Sequence, residues 1–246
     1  NAISISNPLG EDFSIMRTIS LNGMLTSLAT NYNRRNKNVR LYELGNVYLP
    51  KSLPLTELPE ERMMFTLGMY GDGDFFDMKG VIEEFFDQVG MHKKVDYDPK
   101  AGKPFLHPGR QALISYEGDL VGYLGEVHPV VAVIDILHVV NHATFDRKYE
   151  GIAKFPAVNR DISMVVPKDI MVGQIEHMIA QRGGKILENY ELFDIYEGSQ
   201  IQEGYKSVAY SITFRSKEKT LEEAEVSSAM KKILNGLESL GIQLRQ

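Results

Sequence analysis

Tyr205-Lys-Ser-Val-Ala-Tyr-Ser-Ile-Thr-Phe-Arg215 alternates without a break. Val208, Tyr210, Ile212 and Phe214 fall on one side of an extended chain, and Ser207, Ala209, Ser211 and Thr213 on the other. A period of two marks a strand with one buried face. Upstream, Asp161–Val166 is a short alternating run ended by Pro167. Ile186–Tyr196 is another extended run, rich in Tyr, Leu, Phe and Ile and followed by a turn at Glu197-Gly198. Between them, Val172–Arg182 sets Ile175, Met178 and Ile179 at helical spacing and stops at Gly183-Gly184. Beyond Arg215, Thr220-Leu-Glu-Glu223 reads as a capping box opening a helix with Val226, Met230, Ile233 and Leu237 on one stripe. Gly241–Leu244 supplies a last short strand. The order β-α-β-β-α-β is the ferredoxin-like unit, in which two helices cover one sheet face and leave the other bare.

Around this unit lies a chain of 246 residues, 43% hydrophobic and 24% charged. That length suits one to two domains, each able to bury a core. The composition excludes intrinsic disorder, collagen and coiled-coil arrays. Apolar runs such as Val130–Ile134 fall far short of the ~20 residues of a membrane span. No basic-then-apolar leader opens the chain, and its start at Asn1 reads as a trimmed piece of something larger. With no cysteine, disulfides, thiolate catalysis and Cys-based zinc sites are excluded, which fits a cytoplasmic setting. The net charge of −6 argues against a surface coated in basic residues.

The halves differ in charge. Residues 1–151 hold 15 Lys and Arg against 20 Asp and Glu, net −5; residues 152–246 hold 12 against 13, net −1. Between them the polar stretch Asp146–Pro156 interrupts the periodicity on both sides, as linkers do, and places the boundary near Gly151: domains 1–150 and 151–246. The first half is mixed. An extended segment, Ile3–Asn7, precedes a helical Met24–Asn33; Leu41–Leu49 and Arg62–Tyr70 read as strands. Phe75–Val89 reads as a helix with Phe76, Val81, Phe85 and Val89 on one side. Gln111–Tyr116 and Leu120–Glu126 flank a hairpin turn at Glu117-Gly118. Antiparallel strands with intervening helices make this an α+β protein.

The chain has no P-loop, no dinucleotide-binding glycine fingerprint and no GxSxG elbow. Gly71-Asp-Gly-Asp-Phe-Phe-Asp77 clusters acids, but Asp77 misses the calcium-loop spacing and the stretch reads as a surface turn. His138 and His142 are four apart without the Glu of HExxH or a third ligand, so no metal is assigned. His107 and Arg110 share a Pro-Gly turn, which is a hydrogen-bonded turn more often than a site. Lys206, Arg215, Lys217 and Lys219 gather at one end of the bare sheet. Such residues either protect a strand edge or hold phosphates, and the residues alone leave both open.

Phe155-Pro-Ala-Val-Asn-Arg-Asp-Ile-Ser163, Glu191-Leu-Phe-Asp-Ile-Tyr-Glu-Gly198 and Ser211-Ile-Thr-Phe-Arg215 closely resemble the anticodon-binding domain of the phenylalanyl-tRNA synthetase beta-chain family. The first half resembles the class II synthetase-like domain before it. The matching pieces are Asn7-Pro-Leu, Met16-Arg-Thr18, Asn33-Arg-Arg-Asn36, Leu41-Tyr-Glu-Leu-Gly45, Phe75-Phe-Asp-Met-Lys-Gly80, His107-Pro-Gly-Arg110 and Gly122-Tyr-Leu-Gly-Glu-Val-His-Pro129. The resemblance covers nearly the whole chain in the family's order. It implies the C-terminal part of a bacterial-type beta chain, in an enzyme of two alpha and two beta chains. In that family the alpha chain charges tRNA(Phe) using ATP and Mg2+, while the region resembled here binds the anticodon region and contacts alpha.

The phosphate-binding Arg of a working class II second motif does not follow Glu43, and Leu106–Arg110 is no Gly-rich third motif. No catalytic residue, cofactor or metal ligand is therefore assigned to this chain. The rival reading is an independent class II-like enzyme using Glu43, His107 and Arg110. The candidate tRNA-binding residues are Arg160, Ser163, Lys206, Ser207, Ser211, Arg215, Lys217 and Lys219. Phe193 and Tyr196 serve either as base stackers or as core. Without aromatic platforms on the bare face, affinity is expected to lean on phosphate contacts. For alpha contact the resemblance points to Ile3–Thr18 and the helix after it, whose stripe of Leu21, Met24, Leu25 and Leu28 either meets a partner or packs inside its own domain.

Overall fold

The computed structural model describes residues 2–146, 149, 151–198 and 200–245. The chain divides into two compact units, Asn1–Arg147 and Lys148–Gln246. The stretch read as a linker spans this division, and its residues 147, 148 and 150 lie outside those described.

In the first unit, β1 (Val39–Leu49), β2 (Glu60–Tyr70), β3 (Val95–Asp98), β4 (Gln111–Tyr116), β5 (Asp119–Glu126) and β6 (Val130–Asp135) form one sheet in the order β1-β2-β6-β5-β4-β3. Every pairing is antiparallel. The β4–β5 turn is the expected one: Glu117 and Gly118 both take positive φ, the mirror-image turn whose twist suits a hairpin. Val130–Ile134, unassigned in the sequence, forms a strand buried along its whole length. A run covered on both faces loses the alternation that marks a strand.

Helix α1 (Leu21–Asn33) buries Leu21, Met24 and Leu28 within this unit, against Leu106, Val131, Val133 and Val39. Of the two readings of that stripe, packing inside its own domain holds. Helix α2 (Phe75–Gln88) buries Met78, Ile82 and Phe86 rather than the expected stripe, and Phe76 is 73% exposed. Both sets have near-helical spacing, so periodicity alone does not choose the phase; contact with Leu67, Ile114, Leu124 and Ile134 does. The Asp74 carboxylate accepts the Phe76 and Asp77 N–H groups and Asp77 accepts that of Asp74, so the acidic cluster caps α2. Helix α3 (Ile136–His142), also unassigned in the sequence, ends with His142 beside Asp119, Nε2 to Oδ2 2.9 Å.

The second unit runs β7 (Val158–Pro167), α4 (Val172–Gly183), β8 (Leu187–Tyr196), β9 (Tyr205–Phe214), α5 (Glu223–Glu238) and β10 (Gln243–Leu244). Its antiparallel sheet has the order β10-β7-β9-β8, the ferredoxin-like topology. Val208, Tyr210, Ile212 and Phe214 are sealed with Ile162, Met164 and Val166 against Ile175 and Ile179 of α4 and Val226, Ile233 and Leu237 of α5. The helices lie close at Gly236, where an added Cβ would stand 2.7 Å from Met178 Sδ. Helix α5 starts later than Thr220 suggested. Leu221 is buried, which keeps the chain extended to Glu222, whose N–H donates to Glu225 Oε2 at 3.1 Å. Leu221 and Val226 then occupy the two positions of a hydrophobic staple. Among the described residues no helix is long and apolar enough to cross a membrane.

The phase of α2 is testable. Phe86→Ala is expected to destabilise the first unit by about 3–5 kcal/mol, and Phe76→Ala by less than about 0.5. Urea denaturation checks this; equal costs would mean that α2 presents another face to the sheet.

Candidate nucleic-acid interface

The uncovered face of the second sheet can be read row by row from its register. Val165, Ser207 and Tyr196 lie side by side, then Ser163, Ala209 and Asp194, then Asp161, Ser211 and Glu191, and last Asn159, Thr213 and Asn189. This is the face expected from the alternation of β9. Just after β10, Arg245 N–H donates to Ser163 O at 2.8 Å, and its Nη1 reaches Ser207 Oγ at 3.5 Å. Ser207 is only 2% exposed although it points away from the helices, because its neighbours crowd over it. Tyr196 and Phe193 both lie outside the core. Tyr196 belongs to the open face, 38% exposed, its hydroxyl resting against Gly198. Phe193 is the extra residue where the register of β8 slips. The face therefore carries an aromatic ring, contrary to the expectation of none. Arg245 and Asp194 are the residues that sequence reasoning missed; extending the short last strand by one residue would have found Arg245.

The other candidates are spread around this face. Ser163, Ser207 and Ser211 lie on it. Arg160 and Lys206 have the opposite parity, that of Ile162 and Val208. Arg215, Lys217 and Lys219 follow the end of β9, whereas Lys206 stands near its start, so the four do not gather at one end of the sheet as expected: the length of the strand lies between them. Most of the cations already have internal partners. Arg160 Nη2 meets Glu223 Oε2 at 2.5 Å, and Lys219 Nζ meets Glu225 Oε2 at 2.9 Å. Arg215 Nε lies 2.9 Å from both Glu188 oxygens, while its Nη1 donates to Phe155 O at 2.9 Å. The hydrogen bond from Arg160 holds the Glu223 carboxyl below the usual range, and that from Lys219 does the same to Glu225. Displacing such a carboxylate with a phosphate would leave one anion beside another. Lys206 Nζ is 3.5 Å from Lys168 O. Lys217 has no ion-pair partner among the described residues.

The residues of the rival reading are likewise engaged. Glu43 pairs with Arg17, which also donates from Nε to Asn46 O at 2.7 Å. His107 Nδ1 accepts the Gly109 N–H at 3.1 Å, and Arg110 Nε pairs with Glu126 at 2.8 Å. His107 N–H donates to Glu126 O, and Glu126 N–H to Arg110 O, so the turn is locked to the end of β5. Among the described residues no group of His, Asp and Glu is arranged to hold a metal ion.

A family model described as the phenylalanyl tRNA synthetase beta chain CLM domain matches residues 1–134, and the ferredoxin-fold anticodon binding domain model matches residues 153–245. The phenylalanine–tRNA ligase beta subunit of Clostridium acetobutylicum is 43% identical over 258 residues, covering 100% of this chain and 32% of the relative. That of Clostridium tetani is 41% identical with the same coverage. That of Moorella thermoacetica is 36% identical over 265 residues, 99% of this chain and 33% of the relative. The chain spans about a third of the length of these curated relatives.

Proposed function

The chain belongs to the phenylalanyl-tRNA synthetase beta-chain family, and from that premise we propose that it serves phenylalanine–tRNA ligase as a non-catalytic module. Its second unit binds the anticodon region of tRNA(Phe). Its first unit contacts the alpha chain, in a cytoplasmic enzyme of two alpha and two beta chains that uses ATP and Mg2+.

The observation that carries this reading is the corner formed by Tyr196, Ser207 and Arg245 on the open face. Single-stranded RNA is bound through unstacked bases, which need a ring to stack on and polar groups for their edges. Tyr196 supplies the ring, and half-buried Ser163 in the neighbouring row offers a hydroxyl to a base edge, while Ser207 and Ala209 are covered by their neighbours. Asp194, Glu191 and Asp161 accept hydrogen bonds from base N–H donors and repel phosphates. Bases therefore turn toward the sheet and the backbone turns away.

Two observations support a module without its own chemistry. Arg17 and Arg110 are each held by a carboxylate, whereas phosphoryl chemistry needs cations free to meet developing charge. Leu21, Leu106, Val131 and Val133 seal the α1 side of the first sheet with apolar side chains. For alpha contact the support is the ribbon ahead of α1. Ile5 N–H donates to Ser14 O and Met16 N–H to Ile3 O, both at 2.8 Å, yet Leu9, Phe13, Ile15 and Ile19 are exposed. Ordered apolar residues left in water are what a partner covers.

In the whole enzyme, Tyr196→Ala is expected to cost about 1–3 kcal/mol of tRNA affinity, the range for losing one stacked base, with the salt dependence unchanged. Unaltered affinity in a filter-binding titration would remove the open face from the interface. Phe13→Asp combined with Ile15→Asp is expected to weaken assembly with alpha at an unchanged melting temperature, and this chain without alpha to give no phenylalanine-dependent pyrophosphate exchange. Normal assembly in analytical ultracentrifugation, or exchange that tracks the chain's concentration, would contradict the proposed role.

A further inference from the structure

If the open face takes bases and repels phosphates, the charge of the RNA backbone must be met elsewhere on the unit. A surface pocket of about 370 Å³ lies between the end of α4 and the first turns of α5, lined among others by Arg182, Lys185, Ser228 and Lys232. We propose that this pocket takes a phosphodiester group of RNA. The inference rests on the reading of the second unit as a tRNA-binding domain, and adds a phosphate site away from the face that holds the bases.

Three cations without a carboxylate partner among the described residues line this one pocket. Arg160, Lys168, Arg215 and Lys219 each have a carboxylate within 3 Å. Among the described residues Arg182, Lys185 and Lys232 have no such partner, and all three are exposed. In a unit with more acids than bases, three unpaired cations lining one concavity form a local field opposite in sign to the whole. The carboxylate on the pocket wall, Glu225, is already occupied by Lys219 and by the Glu222 N–H, so it sets little charge against an incoming anion. Ser228 adds a hydroxyl to the lining. Arg suits a phosphate because its fork can donate twice, and the two lysines add point charge without demanding one geometry.

The pocket also lies at the opposite end of the unit from the base-reading corner. It includes the turn Gly184–Ile186 that leads into the start of β8, whereas Tyr196 ends that strand. A strand of this length separates the two by about 30 Å. The pocket and the face therefore meet different parts of the RNA, and their contributions should separate in experiment: one sensitive to salt, the other not.

The test uses the whole enzyme of alpha and beta chains, with tRNA affinity measured at roughly 50 to 200 mM salt. Arg182→Ala, Lys185→Ala and Lys232→Ala combined are expected to weaken binding at the low-salt end. They are expected to flatten the slope of log affinity against log salt by about 0.7–0.9 for each phosphate no longer neutralised, so that mutant and parent converge at high salt. Lys185→Glu alone should act in the same direction, and tests the idea if the triple variant melts early. An unchanged affinity and slope in these variants, with Tyr196→Ala still weakening binding, would overturn the pocket and leave the tRNA reading standing; no effect from either set would overturn both. Inorganic phosphate is the control for a small-anion site. Saturable phosphate binding that disappears in the triple variant, with an unchanged tRNA slope, would also overturn the proposal.

Discussion

Val208, Tyr210, Ile212 and Phe214 are fully buried, and in a strand the groups that leave water must share one face. Burying a large apolar side chain is worth about 1.5–3 kcal/mol, so these residues together rival the net stability of a whole domain. A slip of one residue would send Ser207, Ala209, Ser211 and Thr213 into the core instead. Register is thus fixed from the centre of the sheet. Everything on the open face follows: Tyr196 is opposite Ser207, Asp194 opposite Ala209, and the chain end brings Arg245 beside them.

Electrostatics then divides the labour on this unit. The open face carries Asp161, Glu191 and Asp194, groups that accept hydrogen bonds and repel the phosphate chain. Several cations near the sheet, Arg160 and Arg215 among them, are drawn into internal pairs, some with structural work. Arg215 ties the start of β8, through Glu188, to the segment ahead of β7, through Phe155 O. A cation engaged twice in this way is a fastener before it is a ligand. Of the cations without a carboxylate partner among the described residues, Arg182, Lys185 and Lys232 line one pocket on the side of the helices.

The elements with one solvated face were legible in the sequence because their patterns report burial directly. β9 alternates, the Glu117-Gly118 turn requires positive φ at both residues, and α4 ends at a glycine. Where burial is symmetric or the pattern is degenerate, the residues alone were ambiguous. β6 is covered on both sides and shows only an apolar run, while α2 offered two stripes of similar spacing, of which Met78, Ile82 and Phe86 won. Thr220 has the chemistry of a cap, but the pull of Leu221 toward the core sets the helix start downstream. For the site, the serines of the open face could be read from period and register. The pairing of Arg160 with Glu223, distant in sequence, could not, and neither could the exposure of Tyr196, since an aromatic residue in a strand is buried as often as not.

All of this turns on whether the open face of the second sheet meets the anticodon region of tRNA with bases inward. The question is answered by titrating the isotopically labelled 246-residue chain with the anticodon stem-loop of tRNA(Phe) and following backbone amide shifts. Progressive, saturable changes are expected at Ser163, Tyr196, Ser207, Ala209 and Arg245. Shifts that saturate elsewhere on the chain while these amides stay still would contradict the base-inward face.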